Sequence, residues 1–362
     1  MAGVTWRSGT TAIAIGLGLG GFAGPGHAAE VGTGGGLAVS IAGFAGMLAY
    51  GGALARQNED PDLADGLDFS NDTEVHVLVK GRAEELGLEY GATIEFEADT
   101  DETINTDETW LFLRSGWGEA RLGDVDGPVD ASSLGAFTIA AGTGGIDGDV
   151  VSTLTVDAIL PITSDTATKI RYYTPAVAGL QLGLSYAPTA FDDAGSSVAR
   201  TDAEIEHWVE AALIYEAEFD RFDLVASLVG SVADVKDDEL PDDRLWTAYA
   251  GANLSFDELE LGAGLGAEDA GGQRRRYANV GAGRSFGPVY TSITHGRVLD
   301  SSGYDGVGEP WNLVLSADLE LAPGLLLAGD AAYFDNDLDA SARNVTGGDR
   351  GWVWVAKLEV VF

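Results

Sequence analysis

The chain has 362 residues, of which 58 are acidic and 20 basic, giving a formal charge of -38. That balance leaves no basic face to neutralise phosphates, which excludes nucleic acid as a partner. The 45% of hydrophobic residues, regularly alternating, exclude a disordered chain. The lack of cysteine excludes a disulfide framework, a thiolate metal site and a cysteine nucleophile.

Met1 to Ala28 opens with a short segment carrying Arg7, continues through the uncharged stretch Thr10 to Pro25, and ends on Gly26-His27-Ala28. Small residues at the -3 and -1 positions make this a secretory signal peptide (residues 1–28), cut before Ala29 or one residue later. The mature unit is then 29–362, with no linker inside it. Val31 to Ala55 carries no charge and is long enough for a membrane helix of roughly 20 residues. Eight of its residues are glycine, however, and each costs a helix about 1 kcal/mol relative to alanine. A glycine-rich strand over Leu37–Leu48 is the better reading.

From there, segments of about ten residues alternate in polarity. Over Glu74–Glu84, Val75, Val77, Val79, Gly81 and Ala83 oppose Glu74, His76, Leu78, Lys80, Arg82 and Glu84. Over Leu88–Asp99, Leu88, Tyr90, Ala92, Ile94, Phe96 and Ala98 oppose Glu89, Gly91, Thr93, Glu95, Glu97 and Asp99. Sixteen strands are predicted, at about 37–48, 74–86, 88–99, 107–116, 117–124, 167–176, 179–188, 206–219, 221–233, 243–256, 258–268, 274–286, 287–299, 310–322, 324–335 and 351–362.

Soluble antiparallel sheets alternate in the same way, and connection lengths separate the two cases. Connections after even-numbered strands are tight ("EFDRFD", "SFGPVY", "LAPGLL"), whereas those after odd-numbered strands are longer, up to about 125–166. Such an alternation puts all short turns on one rim and all long loops on the other, as in a transmembrane barrel with short periplasmic turns and long external loops. Tyr90, Tyr172, Tyr186, Trp208, Trp246, Tyr290, Trp311, Tyr333 and Trp352 near strand ends suit interfacial girdles, ordinary burial being the alternative for any one of them. In the closing "GWVWVAKLEVVF", Trp352, Trp354, Ala356, Leu358, Val360 and Phe362 form an apolar face that should meet lipid or another subunit. Lys357 and Glu359 then face the lumen.

Three stretches carry a family resemblance. "DTEVHVLVKGRAEELGLEYGATIEFEADT" and "KIRYYTPAVAGLQLGLSYAPT" resemble the second and third, and the sixth and seventh, strands of Gram-negative general porins, especially the alphaproteobacterial, Rhodobacter-type ones. The last strand, ending on Phe362, is similar to the outer-membrane assembly signal of that family. The resemblance implies an all-β, 16-stranded antiparallel transmembrane β-barrel in the outer membrane, assembled as a homotrimer by the barrel-assembly machinery. It also implies an aqueous pore narrowed by an inward-folded third loop, passing small hydrophilic solutes without a required cofactor.

The longest connection falls where that loop belongs. Asp126, Asp130, Asp147 and Asp149 are its acidic residues, and Lys80, Arg82, Arg121, Lys169 and Arg171 have the parity of lumen bases from nearby strands. Opposed across a constriction they would make a transverse field, a selectivity device; otherwise they are solvated lumen residues. The acid excess predicts weak cation selectivity, unless it reflects a saline habitat. Asp124, Asp126 and Asp130 ("GDVDGPVD"), and Asp335, Asp337 and Asp339, have a spacing that suits Ca²⁺, though neither stretch is an EF-hand loop and hydrated loop acids are the plainer reading. Arg274–Arg276 either meets lipopolysaccharide phosphates or ends a strand in solvent.

Enzyme signals are thin: His27, His76, His207 and His295 show no metal-ligand spacing, and there is no G-x-S-x-G elbow. A substrate-selective porin for sugars or a specific ion is the alternative function. A barrel enzyme and a soluble acidic β protein used in adhesion are the more distant readings.

Overall fold

The computed structural model describes residues 29–33, 36–55, 66–98, 106–148, 150–151, 159–190, 205–236, 242–303, 307–338 and 350–362. The expected signal peptide, residues 1–28, lies outside them, as do Asp149 and Asp339. Its strands are β1 (Ala29–Thr33), β2 (Leu37–Ala55), β3 (Leu67–Ala83), β4 (Leu88–Glu97), β5 (Thr109–Ser115), β6 (Gly118–Asp124), β7 (Thr168–Tyr173), β8 (Leu180–Ala190) and β9 (Ile205–Glu218). They continue as β10 (Asp223–Val235), β11 (Arg244–Phe256), β12 (Leu259–Ala270), β13 (Gln273–Phe286), β14 (Val289–Ser302), β15 (Trp311–Ala322), β16 (Leu325–Asp335) and β17 (Arg350–Val361).

Each strand from β2 to β17 pairs antiparallel with its neighbour in sequence, and β17 pairs with β2. Sixteen strands therefore close into a barrel with no free edge, so every ladder is satisfied without water. β1 is an additional short strand. It pairs with β2 at Ala29↔Ile41 through Thr33↔Leu37, along the edge of β2 that β17 leaves uncovered after Val361↔Phe44.

Alternation decides what the barrel is made for. In β8, Leu182 is 40% exposed while its neighbour Gln181 is 6% exposed; in β15, Leu315 is 56% exposed beside Ser316 at 6%. A soluble sheet would bury the leucines. Here the apolar face is the outer surface and the polar face lines the interior, so the exterior is built for lipid.

Three details differ from the sequence reading. β2 and β3 run on to Ala55 and back from Leu67, because Asp68, Ser70 and Asp72 continue the inward parity of β3 while Leu67 and Phe69 continue the outward one. The connection between β12 and β13 is not long: Gly271 (φ 62°) and Gly272 (φ 92°) form a two-residue hairpin turn that residues with a Cβ rarely adopt. Trp208 and Tyr290 are not girdle residues. Trp208 is fully buried on the inward side of β9, sharing that parity with Glu210, and the Tyr290 hydroxyl donates inward to Ile139 O and Glu260.

Candidate functional site: a pinned loop and the pore eyelet

The long connection between β6 and β7 folds into the barrel. It holds a short helix, α1 (Pro128–Ser132), and single 3₁₀ turns at Phe137–Ile139 and Gly145–Asp147. Apolar residues along it have left water: Val129, Leu134, Ala136, Ile139, Ile146 and Val151 are buried. Val129 packs with Ile214, Tyr249, Tyr277 and Val298, and Ile146 with Val314, Phe334 and Val353, which are inward residues of the wall.

Polar groups of the wall take up the loop's backbone. Glu210, completely buried on β9, accepts from the Val129 amide (3.2 Å) and the Ser164 amide (2.8 Å), so one carboxylate ties both ends of the loop. Asn279 on β13 accepts from the Ala136 amide (2.9 Å) and donates to Ile159 O (3.2 Å). Tyr249 donates to Leu134 O (2.7 Å). Farther along, the Ala141 amide meets Ser292 (2.8 Å), the Gly142 amide Asp318 (2.7 Å) and the Thr143 amide Asp330 (2.8 Å). Gly251 and Gly262 let the loop lie this close, since a Cβ on either would collide with the carbonyl of Leu134 or Gly135.

The space left beside the loop is about 510 Å³. Asp126, Asp130 and Asp147 line it from the loop side; Asp318, Lys357 and Glu359 line it from the wall. Burial, and then the adjacent Asp130, hold the Asp126 carboxyl well above the usual carboxylate range. Lys357 is itself engaged, 2.8 Å from Glu359 and in contact with Asp72.

A family model described as Gram-negative porin matches residues 9–339. The chain is a Gram-negative porin. Solved structures agree on the fold. An anion-selective porin from Comamonas acidovorans aligns at 16% identity and TM-score 0.59, over 90% of this chain and all of that one. OmpT of Vibrio cholerae, in a trimer form, aligns at 11% identity and TM-score 0.63 over 91% and 100%. An engineered porin of Rh. blastica aligns at 14% identity and TM-score 0.56 over 90% and 100%. No match was found among curated protein sequences. The porin is thus a channel of the outer membrane rather than an enzyme.

Within the porin, the bases expected opposite the acidic loop are placed differently. Arg121, Lys169 and Arg171 are buried at the loop's root: Arg171 donates to Asp126 O (2.7 Å), Lys169 to Ser164 Oγ (2.6 Å) and Asp165 O, and Arg121 to Glu119 (2.7 Å) while covering the Trp110 ring. Arg171 and Lys169 hold the loop's two ends, whereas Arg121 is held within the wall by Glu119 and Trp110. Lys80 pairs with Glu89 (3.1 Å), and Arg82 pairs with Glu84 (3.4 Å) at the short-turn rim. Asp126, Asp130 and Asp147 line the space beside the loop.

Asp124 bonds Thr168 at the strand end, and among the described residues Asp124, Asp126 and Asp130 do not converge as a ligand set. Arg274, Arg275 and Arg276 are each ion-paired, with Asp269, Glu268 and Asp300. Sequence reasoning missed Glu210, Asn279, Asp318 and the eyelet position of Lys357. Inward parity within a strand was the available signal for all four.

Proposed function

We propose that this porin passes small hydrophilic solutes and ions by passive diffusion, with a weak preference for cations, and works as a homotrimer. The observation that carries the ion preference is the eyelet's charge: Asp126, Asp130, Asp147, Asp318 and Glu359 surround a single Lys357, which is already paired with acids. Fixed negative charge in a narrow aqueous passage raises the local cation concentration and lowers that of anions. Even with Asp126 protonated, acids outnumber the base. The Comamonas porin, described as anion-selective, has the same fold, so the side chains and not the barrel set the sign.

The trimeric reading draws on the family and on the trimer form of the V. cholerae relative. We also assign Phe362 to recognition by the barrel-assembly machinery. Its amide and carbonyl both pair with Gly43 (2.9 Å each) where the barrel closes. Conductance and reversal potential of the purified protein in planar bilayers test the channel, and three equal closure steps test the trimer. Anion preference would contradict the charge argument, and single closure steps would contradict the assembly.

A further inference from the structure

We propose that Glu74, His76 and Glu95 form a binding site for a divalent transition-metal ion on the lumen wall beside the eyelet. The three residues face the interior from adjacent strands. His76 and Glu95 are register partners across β3 and β4, and Glu74 stands two residues along β3 on the same face. Glu74 lies 3.1 Å from His76 Nε2, and Glu95 lies 3.5 Å from His76 Nδ1. One ligand atom from each falls within 4.8 Å of the others, and this is the group among the described residues that does so.

A further observation points to a cation. The second carboxylate oxygen of Glu74, Oε1, is buried without a hydrogen-bond partner, a costly state unless an unseen group satisfies it. The Lys357 ammonium on β17 is committed to Asp72 and Glu359, and that of Lys80 on β3 to Glu89.

The donor set selects the metal. One imidazole nitrogen with two carboxylates suits Zn²⁺, Ni²⁺ or Cu²⁺, with lumen water completing the shell. Ca²⁺ and Mg²⁺ prefer shells made of oxygen alone. The site adjoins the eyelet through Glu108, whose carbonyl accepts from the Glu95 amide (2.9 Å) and whose carboxylate accepts from Trp110 Nε1 (2.8 Å) and the Asp126 amide (2.8 Å). A bound dication would therefore place positive charge next to the acids that favour cations, and cation current would fall.

Isothermal titration of the detergent-solubilised porin with ZnCl₂ in millimolar MgCl₂ tests binding separately from channel activity. The expected result is one site per chain with micromolar affinity, weakened at least tenfold by His76→Gln and by Glu95→Gln. In bilayers, micromolar ZnCl₂ should lower the wild-type cation current reversibly, with recovery on adding EDTA, and leave His76→Gln unaffected. Failure to detect a site tighter than that for Mg²⁺, or an unchanged zinc response in a folded His76→Gln barrel, would overturn the proposal. A null titration with normal conductance would remove the site and leave the channel reading intact.

Discussion

Lys357 of β17 reaches Asp72 of β3 by passing over β2 at Gly46. A Cβ on Gly46 would lie 2.7 Å from Lys357 Cε, and Gly46 is the register partner of both Asp72 and Glu359. The seam where the last strand closes on the first barrel strand is thus bridged by a charge on its lumen side. Gly46→Val should push Lys357 off Asp72 and lower stability by about 1–3 kcal/mol, the scale of hydrogen bonds to charged groups. Lys357→Gln should cost a similar amount. The double variant should lose little more than either single one, because both break one interaction. Thermal or denaturant unfolding of the folded barrel, read as loss of β-sheet signal, measures the cycle.

Glu210 holds both ends of the inward loop. Glu210→Ala would leave two buried amides without an acceptor, at about 1–3 kcal/mol each, enough to release the loop without opening the barrel's ladders. Single-channel recordings should show larger or fluctuating conductance, with the thermal midpoint of the barrel reduced only modestly. Steady wild-type conductance would mean that the apolar contacts of Val129 and Ile146, with the hydrogen bonds from Asn279, Tyr249, Ser292, Asp318 and Asp330, fix the loop without Glu210.

Protonation at the eyelet gives a pH dependence. Asp126 is held above the ordinary carboxylate range by burial and by Asp130, so it gains its negative charge only as the pH rises past that range, which is centred on about 4. Cation preference should therefore still be growing with pH above the range in which ordinary carboxylates have already ionised. Asp126→Asn should flatten that rise. The stability consequence has the opposite sign: a carboxyl with a raised folded-state pKa stabilises the fold at low pH, and that contribution is lost as the pH rises toward the folded-state pKa. Asp126→Asn should accordingly gain relative stability at high pH.

Deleting Phe362 removes its paired bonds to Gly43. Insertion into the outer membrane should fall at least tenfold, measured as heat-modifiable folded protein per total protein. Protein that does fold should conduct normally, since Phe362 shares the outward parity of Leu358 and Val360 and does not line the eyelet.

Much of the barrel was legible because its two solvents differ. Lipid outside and water inside impose a period of two that survives in segments such as Leu88–Glu97, and the turn with Gly87 in the left-handed region (φ 57°) marks where it reverses. The two-glycine turn at Gly271–Gly272 was harder to read, because glycines and charges on both sides look like a loop. The eyelet was only half legible. Loop residues such as Val129 and Ile146 have no period, and parity puts Lys357 and Arg171 equally inward without saying which faces the opening. That choice depends on how far along its strand each residue stands when the sheet closes, and on where Glu210 and Asn279 draw the loop against the wall.

An acidic eyelet in an open aqueous channel is the reading on which the other expectations rest. The most direct test is the reversal potential of the reconstituted protein across a planar bilayer with a tenfold KCl gradient, at pH 7.5. The expected potential has the sign set by K⁺ moving more readily than Cl⁻, and it shrinks when Asp130→Asn and Glu359→Gln are combined. A potential of the opposite sign, or no conductance from folded protein, would contradict it.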